Sequence, residues 1–128
     1  MRVDKDKTKQ SLADAYMSAS PAIFFCWGAQ ADWPVDYVSG NVDLLGYSVE
    51  EFVEGRTKFA DIIHPDDLDR VMREVRLYTE GQHRSFTQSY RLLSRAGDVR
   101  WIDDRTVVER DVDGKASRYL GIITDITK

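Results

Sequence analysis

Hydrophobic and polar residues follow each other in a pattern that predicts two strands near the start of the chain. Ala22 to Trp27 is an apolar run of six residues, too short for a core helix, which indicates a strand with both faces at least partly covered. Val35 to Ser39 alternates apolar and polar residues, which predicts a second strand that pairs antiparallel with the first. The Ser20-Pro21 step ends an upstream helical pattern, because proline disfavours helical geometry in the residue before it.

The central part of the chain predicts short helices followed by one long helix. Gly46 closes a short helical piece, and Ser48 with Glu51 three residues later has the spacing of a capping box. Pro65 begins the long helix, since proline is favoured at the first helical position and the aspartates after it complement the helix dipole. The predicted buried stripe of this helix, and the glycine predicted to cap it in the left-handed conformation, are Leu68, Val71, Met72, Val75, Tyr78 and Gly81.

Three further strands are predicted over 85–93, 99–110 and 115–127, separated by turns at 94–98 and at Asp113-Gly114. The helices therefore lie between two blocks of one antiparallel sheet, and the fold class is α+β. We expect residues 1–20 to form a flanking segment, with a helix from about Lys7 to Ala19, and residues 21–128 to form one folded domain.

Composition and charge narrow the classes of function. The 128 residues are 42% hydrophobic and 31% charged, which is typical of an ordered globular domain. A net charge of -4 has the wrong sign for a nucleic-acid partner. The single cysteine excludes an internal disulfide and a thiolate zinc cluster, and it favours a reducing compartment. Because no apolar run approaches the ~20 residues that cross a bilayer, we expect a cytoplasmic protein without direct membrane insertion.

Five ordered sequence blocks resemble the PAS sensory domains, in the subtype that ends in a PAC-type motif. They cover residues 22 to 127 in the order of the family. The blocks are Asp32–Ser39 (DWPVDYVS), Leu45–Ser48 (LGYS), Ile63–Asp67 (IHPDD), Gly97–Trp101 (GDVRW) and Gly121–Thr127 (GIITDIT). The stretch from Ser39 to Gly46 is one residue shorter than in the family pattern. One residue turns a helix by about 100°, so no pocket residue is assigned within 41–45.

This resemblance implies a five-stranded antiparallel sheet in the order 2-1-5-4-3, with short helices and one long helix on one face. It also implies a non-catalytic sensory module of a larger signal-transduction protein, a histidine kinase of a two-component system or a diguanylate cyclase, whose covalently linked effector lies beyond Lys128. The signal would leave through the C-terminal strand, at Arg100, Asp125, Ile126 and Thr127. We predict that Arg100 pairs with Asp125, because the Asp113-Gly114 turn places them nearly opposite each other.

Aromatic and apolar side chains between the sheet and the helices either fill the core or line a small-molecule cavity, and both alternatives stay open. In particular, Met72 and Val75 are predicted to face the sheet at Tyr90, Leu92 and Trp101. The full set of candidate pocket or core residues is Phe25, Trp27, Phe52, Phe59, Met72, Val75, Tyr90, Leu92, Trp101 and Ile122.

No cofactor is predicted. The stretch from Leu68 to Tyr78 contains no histidine, which argues against haem, although a haem-binding PAS sensor that uses His83 remains an alternative. The light-sensing branch of the family needs a cysteine in the short-helix region, and there is none between Asn41 and Leu77. Cys26 and His64 are interpreted as structural residues.

A second alternative is a small acid–base enzyme of the cone-shaped α+β type, with a carboxylate base in a pocket. That fold begins with its helices, whereas here a strand pair comes first. Asp103 and Asp104 are the acids on strands that could point inward, and the adjacent Arg105 predicts that they pair at the surface instead.

Self-association is predicted from a narrow apolar stripe in the N-terminal helix. Leu12, Ala15, Tyr16 and Ala19 recur at helical spacing beside a charged face. Such a stripe is too slender to anchor a core, but it suits a twin helix or the open face of the sheet. We therefore expect a homodimer formed through this helix and the sheet face.

Overall fold

A computed structural model describes Leu12, Ala15, Tyr16, Ala19 and residues 20–128. Its elements are β1 (Ile23–Gly28), β2 (Val35–Val38), a 3-10 helix (Gly40–Leu45), α1 (Val49–Val53), α2 (Phe59–Ile62), α3 (Pro65–Glu80), β3 (Ser85–Leu93), β4 (Val99–Arg110) and β5 (Ala116–Asp125). Most of the predicted N-terminal helix lies outside the described residues. Its four described positions are helical and exposed. Within the described residues, no helix is both long and apolar enough to cross a membrane.

The five strands form one sheet in the order β2-β1-β5-β4-β3, with every neighbouring pair antiparallel. The predicted fold class and strand order are thereby confirmed. The 3-10 helix and the three α-helices separate the two blocks of strands along the chain, as the sequence pattern predicts. The last strand ends at Asp125, two residues earlier than predicted.

The short stretch after β2 folds into the 3-10 helix, which the left-handed Gly46 (φ 84°) terminates. Asn41 anchors this helix to the start of the sheet, because its Nδ2 donates to the carbonyl oxygens of Ser20 at 2.6 Å and Ala22 at 2.7 Å. The capping box of Ser48 and Glu51 is formed as predicted at the start of α1.

Helix α3 begins at Pro65 as predicted, with His64 as its N-cap. The Nδ1 atom of His64 accepts a hydrogen bond from the Asp66 amide at 3.1 Å, in agreement with a structural role for this histidine. One prediction at the other end is wrong. Gly81 has φ −77°, and it is Gln82, with φ 61°, that adopts the left-handed conformation.

The core lies between the helices and the inner face of the sheet. Seven of the ten candidate residues are buried there, namely Phe25, Trp27, Phe52, Phe59, Val75, Tyr90 and Leu92. The other three need correction: Met72, Trp101 and Ile122 are 43%, 44% and 42% exposed.

The cause is the periodicity of each element. In β4 and β5 the inward positions belong to Ile102 and Ile123, which are 1% and 2% exposed, so their neighbours Trp101 and Ile122 lie on the outer face. In α3 the side chain of Val71 points toward the sheet. Successive residues of a helix are rotated by about 100°, so the next side chain, Met72, points toward solvent. Met72 therefore does not face Tyr90, Leu92 and Trp101.

Candidate functional site

A small cavity lies between α3, α2 and the inner face of the sheet. Its volume is about 20 Å³, enough for one or two water molecules. Six of its eleven lining residues are aromatic, and polar groups enter from the sheet. The lining residues are Trp27, Trp33, Phe59, Val71, Val75, Phe86, Gln88, Tyr90, Asp104, Thr106 and Tyr119.

Asp104 supplies a buried carboxylate to this cavity, with only 4% of the residue exposed. Tyr90 Oη donates to its Oδ2 at 2.5 Å, and Thr106 Oγ1 donates to its Oδ1 at 2.6 Å. Burial raises the pKa of Asp104 to about 6, although both hydroxyl donors favour the ionised form. Burial and the neighbouring carboxylate also hold the pKa of Tyr90 well above its ordinary value.

The position of Asp104 corrects the prediction of surface pairing. Only Asp103 meets Arg105 at the surface, with Nε 3.3 Å from Oδ2. Because side chains alternate along β4, Asp104 shares the inner face with Ile102 and Thr106.

Trp27, which lines the same cavity, carries a polar atom without a partner among the described residues. The residue is 4% exposed, and its indole Nε1 is buried without a hydrogen-bond partner among the described residues. The ring is held tightly, because it stacks on Phe25 at a centroid distance of 5.4 Å and packs against Gly121, where an added Cβ would lie 2.3 Å from Cζ3. A buried donor without an acceptor is rare in folded proteins, and it marks Trp27 as a candidate ligand contact.

Two other polar residues of the cavity wall have hydrogen-bond partners. Gln88 Nε2 donates to the Val71 carbonyl oxygen at 3.3 Å and to Glu74 Oε1 at 3.0 Å. The hydroxyls of Tyr119 and Thr79 share a hydrogen bond of 2.9 Å. Asp104 and Trp27 are thus the lining residues that combine deep burial with a carboxylate and with an unpartnered N–H.

Trp33, Val75 and Tyr119 line both this cavity and an outer cleft of about 330 Å³, so these three side chains stand between the two spaces. Trp33 (φ 53°) and the preceding Asp32 (φ 65°) both have left-handed backbones in the β1–β2 loop. Their carbonyl oxygens accept hydrogen bonds from the amides of α2, with Ala60 N 3.2 Å from the Asp32 oxygen. This contact holds the strained loop against the helix that carries Phe59.

At the end of the sheet, Arg100 Nε donates to Asp125 Oδ2 at 2.7 Å, so the predicted pair is formed. Asp125 lies opposite Ile102 in the ladder, which makes Arg100 its diagonal neighbour on the same face. Burial raises the pKa of Asp125, but hydrogen bonds from Arg100 and Thr127 outweigh that effect and hold it below its ordinary value.

Three further hydrogen bonds hold the residues after Asp125, one to Asp125 itself and two to β4. Thr127 N donates to Asp125 Oδ1 at 2.8 Å, Trp101 N donates to Thr127 Oγ1 at 2.8 Å, and Ile126 N donates to the Trp101 carbonyl oxygen at 2.8 Å. The Arg100–Asp125 pair also lines an open groove of about 690 Å³ beside the 3-10 helix.

Of the candidate residues predicted from the sequence, the structure brings Trp27, Phe59, Val75 and Tyr90 together around the cavity. Phe25, Phe52 and Leu92 pack in the surrounding core. Sequence reasoning missed the polar members Asp104, Thr106 and Gln88. Their signal was available, since all three occupy inward positions in the strand alternation.

The described residues contain no group of three or more histidine, cysteine, aspartate or glutamate side chains arranged to hold a metal ion. Cys26 lies on the outer side of β1 and is 6% exposed. Burial raises the pKa of its thiol, in spite of the nearby Arg118, and this disfavours the reactive thiolate.

Comparison with known proteins places these features in a family context. The family model described as "PAS fold" matches residues 35–123. A methyl sulfide methyltransferase-associated sensor from Methanosarcina acetivorans is 45% identical over 112 residues, 88% of this chain and 11% of that protein. A blue-light-activated histidine kinase from Brucella anthropi is 26% identical over 75% of this chain and 20% of its own length.

Among solved structures, the N-terminal domain of a diguanylate cyclase with a PAS/PAC sensor from Marinobacter aquaeolei superposes with a TM-score of 0.68 at 28% identity. The match covers 82% of this chain and 94% of that one. The chain therefore corresponds to about one domain of a relative, and it spans only a small part of the longer signalling proteins.

Proposed function

The chain belongs to the PAS family, and from that premise we propose that it is the sensory input domain of a larger protein whose effector is a histidine kinase or a diguanylate cyclase. The domain itself is a PAS sensor domain similar to those of such proteins. The observation that carries the proposal is the family match over residues 35–123, whose core holds a small cavity lined by aromatic and polar side chains. In this proposal the cavity is where the signal is detected, and the covalently linked effector follows Lys128.

The Arg100–Asp125 pair is the proposed exit for the signal, with Ile126 and Thr127 as the connection to the effector. The pair joins the final strand to β4, and β4 also carries Asp104, two residues beyond Ile102, into the cavity. A change in the cavity that shifts β4 would therefore also shift Ile126 and Thr127, which connect the domain to the effector.

This route is tested in the full-length signalling protein with Asp125→Ala and Arg100→Ala. We expect each substitution to change effector output, while the melting temperature of the isolated domain stays nearly constant, because an exposed ion pair is worth about 0 to 1 kcal/mol. Asp103→Ala is the matched control, since it removes the exposed Asp103–Arg105 pair on the outer face of the same strand. Unchanged output together with a large fall in melting temperature would make Asp125 a structural residue.

We also propose that the domain works without haem or flavin. A cavity of about 20 Å³ is far below the roughly 300 Å³ at which ligand pockets for larger molecules begin. Helix α3 carries no histidine, and Cys26 lies on the opposite side of the sheet from the cavity. A visible absorption band in the purified protein would contradict this proposal.

A non-catalytic role is proposed for the domain as well. Asp104 does place a carboxylate in a cavity, as the acid–base enzyme alternative requires, but a strand pair precedes the helices and the family match favours a sensor. The proposed location is the cytoplasm, which suits a buried, unpaired cysteine. A nucleic-acid partner is not proposed, given the net charge of -4.

Homodimerisation is the last part of the proposal. The outer face of the sheet exposes Tyr37, Trp101, Val107 and Ile122, and the described residues of the N-terminal stripe are exposed too. Two apolar surfaces that are exposed in the described part of the chain are suited to pack against those of a second copy.

A further inference from the structure

We propose that Tyr90, Asp104 and Thr106 form a proton-sensitive switch within the sheet, and that the signal this domain detects is the pH of its surroundings. These three residues are called the Asp104 cluster. Gain or loss of a proton at Asp104 would change the hydrogen bonds between β3 and β4 and so act on the C-terminal exit. This inference deepens the proposed sensory function and rests on it.

The first step of the argument is the burial of a carboxylate among neutral partners. Asp104 is 4% exposed, and its two oxygens accept hydrogen bonds from hydroxyl groups, Tyr90 Oη at 2.5 Å and Thr106 Oγ1 at 2.6 Å. A buried carboxylate that gives up its hydration without gaining an opposite charge takes up a proton more readily than it does in water. Burial accordingly raises the pKa of Asp104 to about 6, inside the range of about pH 5 to 8 in which histidine is the usual switch.

The groups that face Asp104 from the neighbouring elements are uncharged. The cavity wall draws its residues from β1, β3, β4, β5, α2, α3 and the β1–β2 loop, and Asp104 is the charged residue among them. Tyr90 and Tyr119 are its other titratable members. Burial and the Asp104 carboxylate hold the pKa of Tyr90 well above its ordinary value, so Tyr90 keeps its proton as a donor. The proton that comes and goes near neutral pH is therefore that of Asp104.

Charged groups of the described chain lie one contact further away. Asp103 is on the outer face of the same strand, and besides burial its charge raises the pKa of Asp104. Gln88 lies directly opposite Asp104 on β3, and its Nε2 donates to Glu74 Oε1 of α3 at 3.0 Å. Glu74 is in turn paired with Arg70 at 3.1 Å, so its charge is already compensated on the helix.

Protonation changes which hydrogen bonds the Asp104 cluster can make. The distances of 2.5 and 2.6 Å are typical of hydroxyls that donate to an ionised carboxylate. A protonated carboxyl group has an O–H donor of its own, so one of the two hydroxyls must accept from it and turn its own proton elsewhere. The contact then lengthens toward the roughly 2.7–2.8 Å of neutral O–H···O bonds. Because Tyr90 is on β3 and Asp104 is on β4, the change alters the contact between two strands.

The register of the sheet connects this contact to the exit. Tyr90 lies opposite Ile102 in the β3–β4 ladder, and Ile102 lies opposite Asp125 in the β4–β5 ladder. The tyrosine that binds Asp104 therefore stands in the same row as the acid of the exit pair, two strand spacings or about 10 Å away. A shift of β4 against β3 at this row also moves the strand position to which Asp125 is paired.

The two histidines of the sequence are the competing explanation for a response near neutral pH. His64 caps α3, and His83 packs against the Tyr78 ring at a centroid distance of 5.3 Å. Neither is among the residues that line the cavity. The variants His64→Gln and His83→Gln therefore separate a histidine response from one that begins at Asp104.

The test follows both ends of this route in one pH titration of the ¹³C- and ¹⁵N-labelled chain by NMR. We expect the Asp104 carboxyl carbon to titrate with a midpoint near pH 6, and the amide signals of Ile126 and Thr127 to shift with the same midpoint. Asp104→Asn cannot ionise, so its exit amides should lose this transition. Asp103→Asn is the matched control, which should keep the transition with a slightly lower midpoint because the charge that raises the pKa of Asp104 is removed.

The same variants are then placed in the full-length signalling protein. Effector output should change across the same midpoint in the parent, and Asp104→Asn should hold the output at its acid value at every pH. The two histidine variants should respond to pH as the parent does.

Three results would overturn the proposal. One is a carboxyl carbon of Asp104 that does not titrate near pH 6, which the parent shows even if Asp104→Asn does not fold. The second is a titration of Asp104 that the amides of Ile126 and Thr127 do not follow. The third is a response that survives in Asp104→Asn and is lost in a histidine variant. The sensory role itself is tested separately, at constant pH, by effector output in the Arg100 and Asp125 variants.

Discussion

At the scale of single residues, the buried carboxylate of Asp104 makes the stability of the domain depend on pH. Its pKa is raised from 3.8 to about 6 in the folded protein, mainly by burial. The folded state therefore binds more protons than the unfolded state between these values. It follows that the free energy of unfolding falls as pH rises through this window, by up to about 3 kcal/mol, and is flat above it.

We predict that Asp104→Asn removes this dependence. The variant should be more stable than the parent by about 1 to 3 kcal/mol above pH 7 and should show little gain near pH 4, where Asp104 is largely protonated. Urea unfolding across this range measures the effect, with Asp103→Asn as the control. A pH profile that Asp104→Asn leaves unaltered would show that Asp104 is not the group that titrates.

Gly121 is a second residue whose identity is restricted, in this case by the close contact with the Trp27 ring. An added Cβ would lie 2.3 Å from Cζ3 of Trp27 and 3.1 Å from Oγ1 of Thr106. We predict that Gly121→Ala displaces the indole and destabilises the domain by about 1 to 3 kcal/mol. Thermal unfolding and tryptophan fluorescence measure the two effects.

The smaller ring in Trp27→Phe relieves the clash, so the double variant should lose less stability than the two single changes predict together. Additive losses would show that the Trp27 contact is not the cause.

The sequence predicts which face of the sheet a strand residue occupies where the alternation of inward and outward side chains is followed strictly. Trp101 and Ile122 were placed inside because they are large and apolar, yet Ile102 and Ile123 hold the inward positions. The adjacent Arg105 predicts that Asp104 pairs at the surface, yet Asp104 occupies the same inward phase as Ile102. Only the folded arrangement shows that two hydroxyls satisfy this carboxylate, because Tyr90 comes from the neighbouring strand β3.

At the scale of elements, one ion pair joins α3 to the edge strand β3. Asp67 accepts from the Arg91 amide at 2.9 Å, from its Nε at 3.0 Å and from its Nη2 at 2.7 Å. The Arg91 guanidinium also lies over the Trp101 ring, with Cζ 5.4 Å from the centroid. Hydrogen bonds from the side chain and backbone of Arg91 hold the pKa of Asp67 at about 2, below its ordinary value of 3.8.

We predict that Asp67→Asn destabilises the domain by about 2 to 4 kcal/mol at neutral pH, because the amide keeps one acceptor oxygen in place of two and leaves the half-buried Arg91 guanidinium without its opposite charge. The pH dependence that Asp67 gives to the free energy of unfolding has the opposite sign to that of Asp104. A depressed pKa contributes stability above about 4 that is lost as pH falls toward 2, so parent and variant should converge in acid.

Denaturation at neutral and acidic pH measures this difference. Asp66→Asn, at an exposed position on the same helical turn, is the control. A constant gap between parent and Asp67→Asn at all pH values would argue against the pair.

Elements were more predictable than their ends. The strands and α3 follow from alternation, turn residues and Pro65, all of which are local signals. The end of α3 was not predictable in detail, because Gly81 stays right-handed while the amide of the left-handed Gln82 donates to the Thr79 carbonyl oxygen at 3.2 Å. The contact of the edge strand β3 with Ile63 is not predictable from the sequence either. The β-bridge between Ile63 and Leu92 joins residues that are distant in sequence.

At the scale of the whole molecule, the outer face of the sheet lies opposite the face that α1, α2 and α3 cover, and it exposes several apolar side chains. Phe24 and Tyr37 touch on it, with ring centroids 5.7 Å apart, and Phe24 pairs in register with Ile122. Salt bridges between Arg118 and Glu109 and between Arg105 and Asp103 lie on the same face. An apolar centre bordered by charged pairs is typical of a protein–protein interface.

We predict that Ile122→Asp dissociates the proposed homodimer into folded monomers, because it places a charge at the centre of this face and leaves the inner face unchanged. Sedimentation velocity measures the oligomeric state, and circular dichroism confirms the fold. Val112→Asp is the matched control, since Val112 is fully exposed in the β4–β5 turn and should not affect assembly.

Deletion of residues 1–19 should weaken the dimer in the same way if the N-terminal stripe covers this face. A monomeric intact chain at high concentration would contradict the proposed dimer, whereas a dimer that survives Ile122→Asp would move the interface away from the sheet.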